Sequence, residues 1–577
     1  MKLYIAEKPS MGRVLAQALG GGRNQSGHIA GSGWVVTWCF GHLFGMKMPE
    51  DYNQRFKRWS RADLPIIPQR FELKPRQDAS AQIGVIRRLL KGATTVVNAG
   101  DPDREGQLLV DEVLVELKCT QPVDRLWLPA LDSRTVNKAL RSMRPNQHYE
   151  TTYHAALARS RADWLVGLNL TRAYTVRAGR TLTVGRVQTP TLKLVVDRDR
   201  EIENFVPKDY FVLKVVFRHA RGEYTGVWNP TQSGWIKEQQ NPDRLVDEER
   251  RCLDRKAAEA VLAGVVSQAG AVQRATGDKK RESAPLPFTL SDLQSEASRR
   301  FSMGAQQTLN VAQSLYEKHK AISYPRTDCR YLSDGQFSEV SPTFKAIANA
   351  DPAFAPLLQR ADTSRKPRAF QDKRVTAHTA IVPTPHESLR LGALSPDERK
   401  IYDLVRRRYV AQFYPDFVYH QLIVATRVGE EFFDSRAKAI IDFGWRELEN
   451  SPAWLEQQRK GDSLPAGITQ GDPVTALKGE IEDKKTTPPS HYTEGTLIKT
   501  MANIARIVDD PAAKKCLREA SGIGTEATRA SIIENLKKRG FLDCRGKFLI
   551  STPSARELID KVSPELADPV VTARWED

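Results

Sequence analysis

The sequence predicts a multidomain protein of α/β plus mixed α+β class, on three observations. The first 150 residues alternate short β-prone runs with helical patterns, and two later β-rich stretches flank a long helical one. At 577 residues the chain exceeds one ordinary domain of ~150 residues. Hydrophobic residues at 40% and charged residues at 27% give the balance of a folded chain, which excludes general disorder.

In order along the chain, Leu3-Tyr4-Ile5 reads as a strand and Val14-Leu15-Ala16 as part of the helix after it. Trp34 to Trp38 and Thr94 to Val97 read as further strands, the latter leading into a helix through Gln107 to Val110. Leu126-Trp127-Leu128 follows as a strand before a helix from Val136 to Leu140, completing a parallel sheet with helices on its faces. Tyr153 to Tyr174 is helical by its apolar spacing. Residues 209–228 and 417–445 are β-rich, and short strands need partners, so the two pieces pair into one sheet with the 290–400 region inserted between them. Gly277-Asp-Lys-Lys280 before Pro285 and Glu482-Asp-Lys-Lys485 before Pro488 read as linkers leaving that sheet. A domain inserted through two chain crossings can swing as a gate.

Lys and Arg number 87 against 70 Asp and Glu, a formal net charge of +17, which leans toward a polyanionic partner. No apolar run approaches the ~18 residues of a membrane span, and the N-terminus has no signal-peptide core, so a cytoplasmic protein without membrane contact is expected. The six cysteines are scattered without zinc-ribbon or dithiol spacing.

The sharpest local signal is Asp101-Pro-Asp103-Arg-Glu105-Gly106, between a strand and a helix. In extended chain Asp101 and Asp103 share a face, with Glu105 at the turn into the helix. Crowded like charges become favourable around a hard divalent cation such as Mg²⁺. Glu7 ends the first strand, and carboxyl ends of neighbouring parallel strands share a crevice, which makes it a fourth carboxylate with Lys8 beside it for a phosphate. Two other readings stay open here: an EF-hand loop over 101–112, disfavoured by the β-prone flank and by Leu109 at its ninth position, and a solvated acidic turn at a helix N-terminus.

Ser291-Asp-Leu-Gln294 reads as a capping box opening a helix, a second helix runs through Leu309, Ala312 and Tyr316, and Ser323-Tyr324-Pro325-Arg326 follows. Pro325 pushes Tyr324 toward an extended form in which Tyr324 and Arg326 point the same way. A phenol with its pKa near ~10 needs a proton acceptor or nearby positive charge to act as a nucleophile. From those residues alone, a packed tyrosine and an ordinary arginine ion pair are the preferred reading.

Glu7-Lys8-Pro9-Ser10, Asp101 to Gly106, Val184-Gly-Arg-Val-Gln-Thr-Pro190, Ser323 to Asp328 and Ala377-His378 to Thr384 occur in that order, followed by Gly524-Thr-Glu-Ala-Thr-Arg529. Together they resemble the type IA DNA topoisomerases, most closely the bacterial topoisomerase III branch. The resemblance implies a toroidal core with a Toprim domain at 1–150, a helical single-strand DNA-binding domain with winged-helix-like parts at 151–207 and 486–577, a β-rich hinge or gate domain at 208–280 and 401–485, and an inserted domain at 281–400 carrying the nucleophilic tyrosine. It implies Mg²⁺ held by Glu7, Asp101, Asp103 and Glu105, Tyr324 as nucleophile, Arg326 as its activator, and Lys8 and His378 near the scissile phosphate. Arg159, Arg161, Asp163, Arg186, Gln188 and Thr189 match positions that line the single-strand groove. The implied reaction is ATP-independent cleavage and religation of one DNA strand through a 5′-phosphotyrosine. Relaxation of negative supercoils and decatenation follow, performed by a nucleoid-associated monomer whose helicase partner, if any, is unnamed. A non-catalytic single-stranded DNA-binding protein and a Toprim nuclease are the competing classes, and neither needs all of these motifs together.

Overall fold

The computed structural model describes residues 1–576 apart from 242–243, 376–377, 460–463, 466 and 520–521. They form two compact units, one of Met1–Asp199, Leu286–Val410 and His491–Asp577, the other of Arg200–Pro285 and Ala411–Ser490. No helix among the described residues is long and apolar enough to cross a membrane.

The first unit begins with strands β1 (Lys2–Ala6), β2 (Arg23–Gln25), β3 (His28–Ala30) and β4 (Trp34–Trp38). A separate two-stranded ribbon, β5 (Phe44–Met46) with β6 (Leu73–Pro75), follows, and then β7 (Thr95–Ala99), β8 (Val123–Arg125) and β9 (Arg144–Pro145). The main sheet has seven strands in the order β2-β3-β4-β1-β7-β8-β9, and β1 lies parallel to both β4 and β7. Side-chain alternation along β1 explains its burial on both faces. Leu3 and Ile5 enter a core with Ile83, Ile86, Val96, Leu109 and Val113, while Tyr4 and Ala6 enter another with Val36, Val97 and Leu128. The second core continues into Leu290, Leu293, Tyr316, Tyr324 and Ile401 of the helical segment. Leu126 to Leu128, expected as a strand, lie just past β8, whose ladder with β7 ends at Arg125. A third core joins Leu182 to Val196 with Leu497, Met501, Ile533, Leu536 and Leu558 of the C-terminal segment.

The second unit is a closed six-stranded barrel. Its strands are β10 (Asp209–His219), β11 (Gly222–Trp228), β12 (Ala269–Glu282), β13 (Phe417–Val428), β14 (Glu431–Asp442) and β15 (Pro473–Lys485), in the order β10-β11-β14-β13-β12-β15. The chain pieces before and after the helical segment are knitted together by β12 with β13 and by β10 with β15. Gly277 to Lys280 and Glu482 to Lys485 are therefore strand residues and not linkers: Lys280 pairs with Tyr419 and Glu482 with Val212. Their charges misled the pattern because much of β12 and the end of β15 face water, where charged side chains cost nothing. The barrel piece resumes at Ala411, since the helix Pro396–Val410 packs on the helix Ala305–Glu317 of the first unit. Strands β16 (Leu542–Arg545) and β17 (Phe548–Ser551) make a short hairpin in the C-terminal segment.

Phe217, Tyr224, Trp228, Val424 and Phe433 fill the barrel, with Phe433 edge-on to Phe217 at 5.2 Å. Phe433→Ala is expected to cost this unit about 3–5 kcal/mol and to lower its calorimetric transition, whereas substitution of the exposed Lys485 leaves that transition in place.

Candidate active site

The crevice follows from adjacent parallel strands ending side by side. β1 delivers Glu7 and Lys8, and the helix after them opens on Pro9, whose missing N–H is no loss at a first helical position. Neighbouring β7 delivers Gly100 and Asp101, so the buried Glu7 Oε2 accepts the Asp101 backbone N–H at 2.9 Å. Asp103 caps the helix Arg104–Glu116, its Oδ1 accepting the Gly106 N–H at 2.7 Å. A side chain at Gly106 would bring Cβ within 2.5 Å of the Asp101 nitrogen and 2.8 Å of Glu7 Oε2, which is why the turn needs glycine there. Arg125, fully buried, holds the turn from behind through the carbonyls of Gly100 at 3.0 Å and Asp101 at 2.7 Å.

Electrostatics match the crowding. Burial, together with Asp101 and Asp103, pushes the Glu7 carboxyl up to about 8. The Asp101 carboxyl is raised too, by burial first and then Asp103, against the pull of Lys8 and Arg326. Lys8 Nζ donates to Asp101 Oδ2 at 3.0 Å and to Glu317 Oε1 at 2.9 Å, and lies 3.6 Å from Glu7 Oε1. Burial opposes its charge, but these carboxylates outweigh that and hold the ammonium above the ordinary lysine range.

Tyr324 lies in extended chain, as Pro325 requires. Ser323 is pinned to Val382 by its backbone N–H at 2.9 Å and to Ala380 by its hydroxyl at 2.9 Å, and the Tyr324 N–H reaches the Pro129 carbonyl at 2.8 Å. The phenol is 2% exposed, and its hydroxyl donates to Asp103 Oδ2. Burial, then Asp103 and Asp101, raises its pKa well above 10, with Arg326 opposing. Tyr316 packs against the Tyr324 ring at 5.5 Å and His378 at 5.3 Å, and Trp127 stacks on His378 at 6.1 Å. Burial lowers the His378 pKa, so its imidazole is neutral near pH 7. Two buried polar atoms here lack partners: the acceptor Asp101 Oδ1 and the donor Arg326 Nε.

The structure thus brings together Glu7, Lys8, Asp101, Asp103, Tyr324, Arg326 and His378. Ala377, expected in the same motif as His378, lies outside the described residues. Glu105 is not in the group: it is exposed and pairs with His42 Nε2 at 2.8 Å, while His42 Nδ1 meets Glu112 at 2.7 Å. Burial opposes the His42 charge, yet the two carboxylates push the imidazole up to about 10. Among the described residues no three His, Cys, Asp or Glu side chains form a ready cage. Mg²⁺ asks less than a cage, since it keeps several waters and takes one or two carboxylates plus phosphate oxygens. An oxygen-only donor set with an unpartnered buried Asp101 oxygen fits such an ion.

The expected groove residues lie on the segment 186–189 and on a helix that packs on Arg104–Glu116, the helix that Asp103 caps. Arg159, Arg161 and Asp163 lie on the 29-residue helix Glu150–Ala178, with Arg161 over the Phe71 ring at 5.3 Å. Arg186 is buried and paired with Asp163 at 2.9 Å. Gln188 bonds Thr183 and accepts from Arg539 at 3.1 Å, and the buried Thr189 hydroxyl accepts the Gly185 N–H at 3.1 Å. Arg186 and Thr189 are therefore packed and satisfied. Arg125, His42 and Glu317 escaped the sequence reading; only Glu317, seven residues before Tyr324, offered any positional hint.

Residues 147–577 match the DNA topoisomerase family and residues 2–131 the Toprim domain. The chain belongs to the type IA DNA topoisomerases, which are isomerases. Within them it falls in the topoisomerase III branch. It is 42% identical to the DNA topoisomerase 3 of Vibrio cholerae, which covers all of this chain and 89% of that protein. With the DNA topoisomerase 3 of Bacillus licheniformis the identity is 32%, covering 100% and 77%. The structure of full-length topoisomerase I from Thermotoga maritima superposes with a TM-score of 0.71 at 22% identity, covering all of this chain and 85% of that one, a likeness of fold.

Glu7 supplies a test by titration. Its carboxyl sits at about 8 in the folded chain against an ordinary 4.5, so the folded state binds the extra proton and stability falls as pH rises through that window. In the metal-free protein Glu7→Gln is expected to melt above the wild type near pH ~9 and to converge with it near pH ~5. Parallel melting curves at every pH would contradict the assignment.

Proposed function

We propose that Tyr324 is the nucleophile of a DNA strand-cleaving and religating reaction carried out beside the crevice of Glu7, Asp101 and Asp103. The observation that carries the reading is the Tyr324 hydroxyl donating to Asp103, next to an unpartnered Asp101 oxygen and an unpartnered Arg326 N–H. The phenolic oxygen bonds to a backbone phosphorus as the bond from phosphorus to the 3′ oxygen breaks, leaving a 5′-phosphotyrosine. Asp103 takes the phenol's proton. Glu7, with its carboxyl near 8, keeps a proton at neutral pH that it gives to the departing 3′ oxygen. Reversal of the same transfers reseals the strand, so no nucleotide is consumed.

Arg326 and Lys8 meet the phosphate charge that develops, and neutral His378 packs against the phenol ring, as Tyr316 does. Mg²⁺ would be held by Asp101 and Asp103, where it would supply Lewis-acid stabilisation of phosphate oxygens; Glu7, expected as a further ligand, keeps its proton beside them, and Glu105 stands outside this set while His42 holds it. Single-stranded DNA runs along the helix Glu150–Ala178, with Arg159, Arg161 and Gln188 toward the backbone and the Asp163–Arg186 pair and Thr189 shaping the wall. The barrel acts as the hinge on which the Tyr324 segment leaves, letting another strand pass, which relaxes negative supercoils and unlinks catenated DNA. We propose a cytoplasmic, nucleoid-associated location in keeping with that substrate, and a monomer.

End-labelled single-stranded oligonucleotide incubated with the protein and Mg²⁺ is expected to give an adduct that survives denaturation. Tyr324→Phe should abolish it, and Arg326→Ala should slow it by about 10²–10³-fold. Cleavage persisting in Tyr324→Phe would point to a nuclease, and no adduct with the wild type to a DNA-binding protein without chemistry.

A further inference from the structure

Two helices lead to the nucleophile, Leu290–Phe301 and Ala305–Glu317. The first N–H groups of a helix have no intrahelical acceptor and carry the positive end of its dipole. In both helices that end is met by a carboxylate from the C-terminal segment. Glu526, buried, accepts the Ser291 N–H at 2.7 Å and the Ser291 hydroxyl at 2.8 Å. Ser291 thus does not open the helix as its capping-box position suggested; Thr289 is the N-cap, accepting the Asp292 N–H at 3.0 Å, and Ser291 is left free for Glu526. Glu494 accepts the Ala305 N–H at 2.6 Å, where the preceding N-cap, Gly304, has no side chain to offer.

Each carboxylate is steadied by a cation on its own side. Arg529 donates to Glu526 at 2.6 Å and to the Ser291 hydroxyl at 3.0 Å, and is itself fixed by the carbonyls of Ile523 and Gly524 at 3.0 and 2.9 Å. Lys537 donates to Glu494 at 2.9 Å. Packing is tight beside the second contact: a Cβ at Gly495 would lie 2.7 Å from the Ser298 side chain.

Each helix has one end at the reaction, the first its start and the second its finish. Leu290, next to Ser291, donates its N–H to the Thr327 carbonyl at 3.0 Å, one residue past Arg326. The second helix ends in Tyr316, packed on the Tyr324 ring, and Glu317, bonded to Lys8. The Gly524 to Arg529 motif also abuts the segment of Arg186 and Gln188, since a Cβ at Gly524 would lie 3.3 Å from the Val187 side chain, and the Ser291 contact is a second one.

We propose that Glu526 and Glu494 are positioning residues that aim Tyr324, by fixing the N-termini of the two helices whose other contacts set Thr327, Tyr316 and Glu317. The proposal rests on Tyr324 being the nucleophile. It makes the C-terminal segment a reporter to the reaction centre, because any shift of that segment moves both helix ends.

The test uses the full chain and measures the rate of denaturation-resistant adduct at saturating single-stranded oligonucleotide, alongside the affinity for that oligonucleotide in metal-free buffer. Glu526→Gln keeps the shape but loses the anionic acceptor, and is expected to slow adduct formation about tenfold while affinity stays within about twofold. Ser291→Ala removes the hydroxyl partner and leaves the backbone N–H contact, so it should slow the reaction less than Glu526→Gln and the double variant should be no slower than Glu526→Gln, whereas adding Glu494→Gln, at the other helix, should slow it further. Wild-type adduct rates in Glu526→Gln and Ser291→Ala overturn the proposal. So does an equal fall in rate and affinity, or additive slowing by those two. Should Glu526→Gln fail to fold, Ser291→Ala and Glu494→Gln decide by the same split between rate and affinity. Absence of adduct from the wild type, or adduct in Tyr324→Phe, would strike at the nucleophile and not at this coupling.

Discussion

Everything in the site depends on carboxylates forced together at the ends of two adjoining parallel strands. β1 and β7 are neighbours in the sheet, so Glu7 and Asp101 have no choice but to meet, and Gly106 removes the side chain that would wedge them apart. Burying uncompensated charge costs several kcal/mol per ion even after relaxation. The chain offsets that cost from three directions: Lys8 at Asp101, Arg125 under the turn, and Arg326 acting on both aspartates. What remains uncompensated is one carboxylate oxygen and one guanidinium N–H, an acceptor and a donor of the kinds a metal-bound phosphate satisfies.

The same constraint governs Tyr324, the proposed nucleophile. A phenol buried among carboxylates is harder to ionise than one in water, and Arg326 only partly offsets this. The resting site therefore stores a neutral tyrosine with its proton aimed at Asp103. In the proposed reaction, activation comes from the charge balance that substrate and metal would bring, which leaves an unloaded site inert. Neutral His378 adds no charge to that balance.

Much of this was legible in residue order and some was not, for physical reasons. β1, β4, β7 and the Asp101 to Gly106 turn declare themselves because buried parallel strands are continuous apolar runs and helices are capped locally. Pro325 announces extended chain at Tyr324. The barrel strands β12 and β15 hid behind their charge, since a strand with a wet face shows no apolar alternation. Glu105 differs for another reason: its backbone position is the expected one, but His42, sixty-three residues earlier, takes its side chain. Arg125, Glu317 and the Ser291–Glu526 contact depend on meetings across distant parts of the chain that no local pattern encodes.

In the proposed reaction Tyr324 leaves and returns, which needs two different kinds of contact. Apolar adhesion is non-directional, and the shared core of Leu128, Leu290, Tyr316 and Tyr324 supplies it without fixing where the phenol lands to within a bond length. Hydrogen bonds are weak in net stability, about 0.5–1.5 kcal/mol each, because water replaces them when they break, but they are exacting in geometry. Tyr324 to Asp103, Tyr324 N–H to Pro129, Lys8 to Glu317 and Ser291 to Glu526 are of that kind. Their modest individual cost leaves release affordable, while their number and direction restore one register on return. Religation demands that register, because the 3′ oxygen must meet the same phosphorus it left.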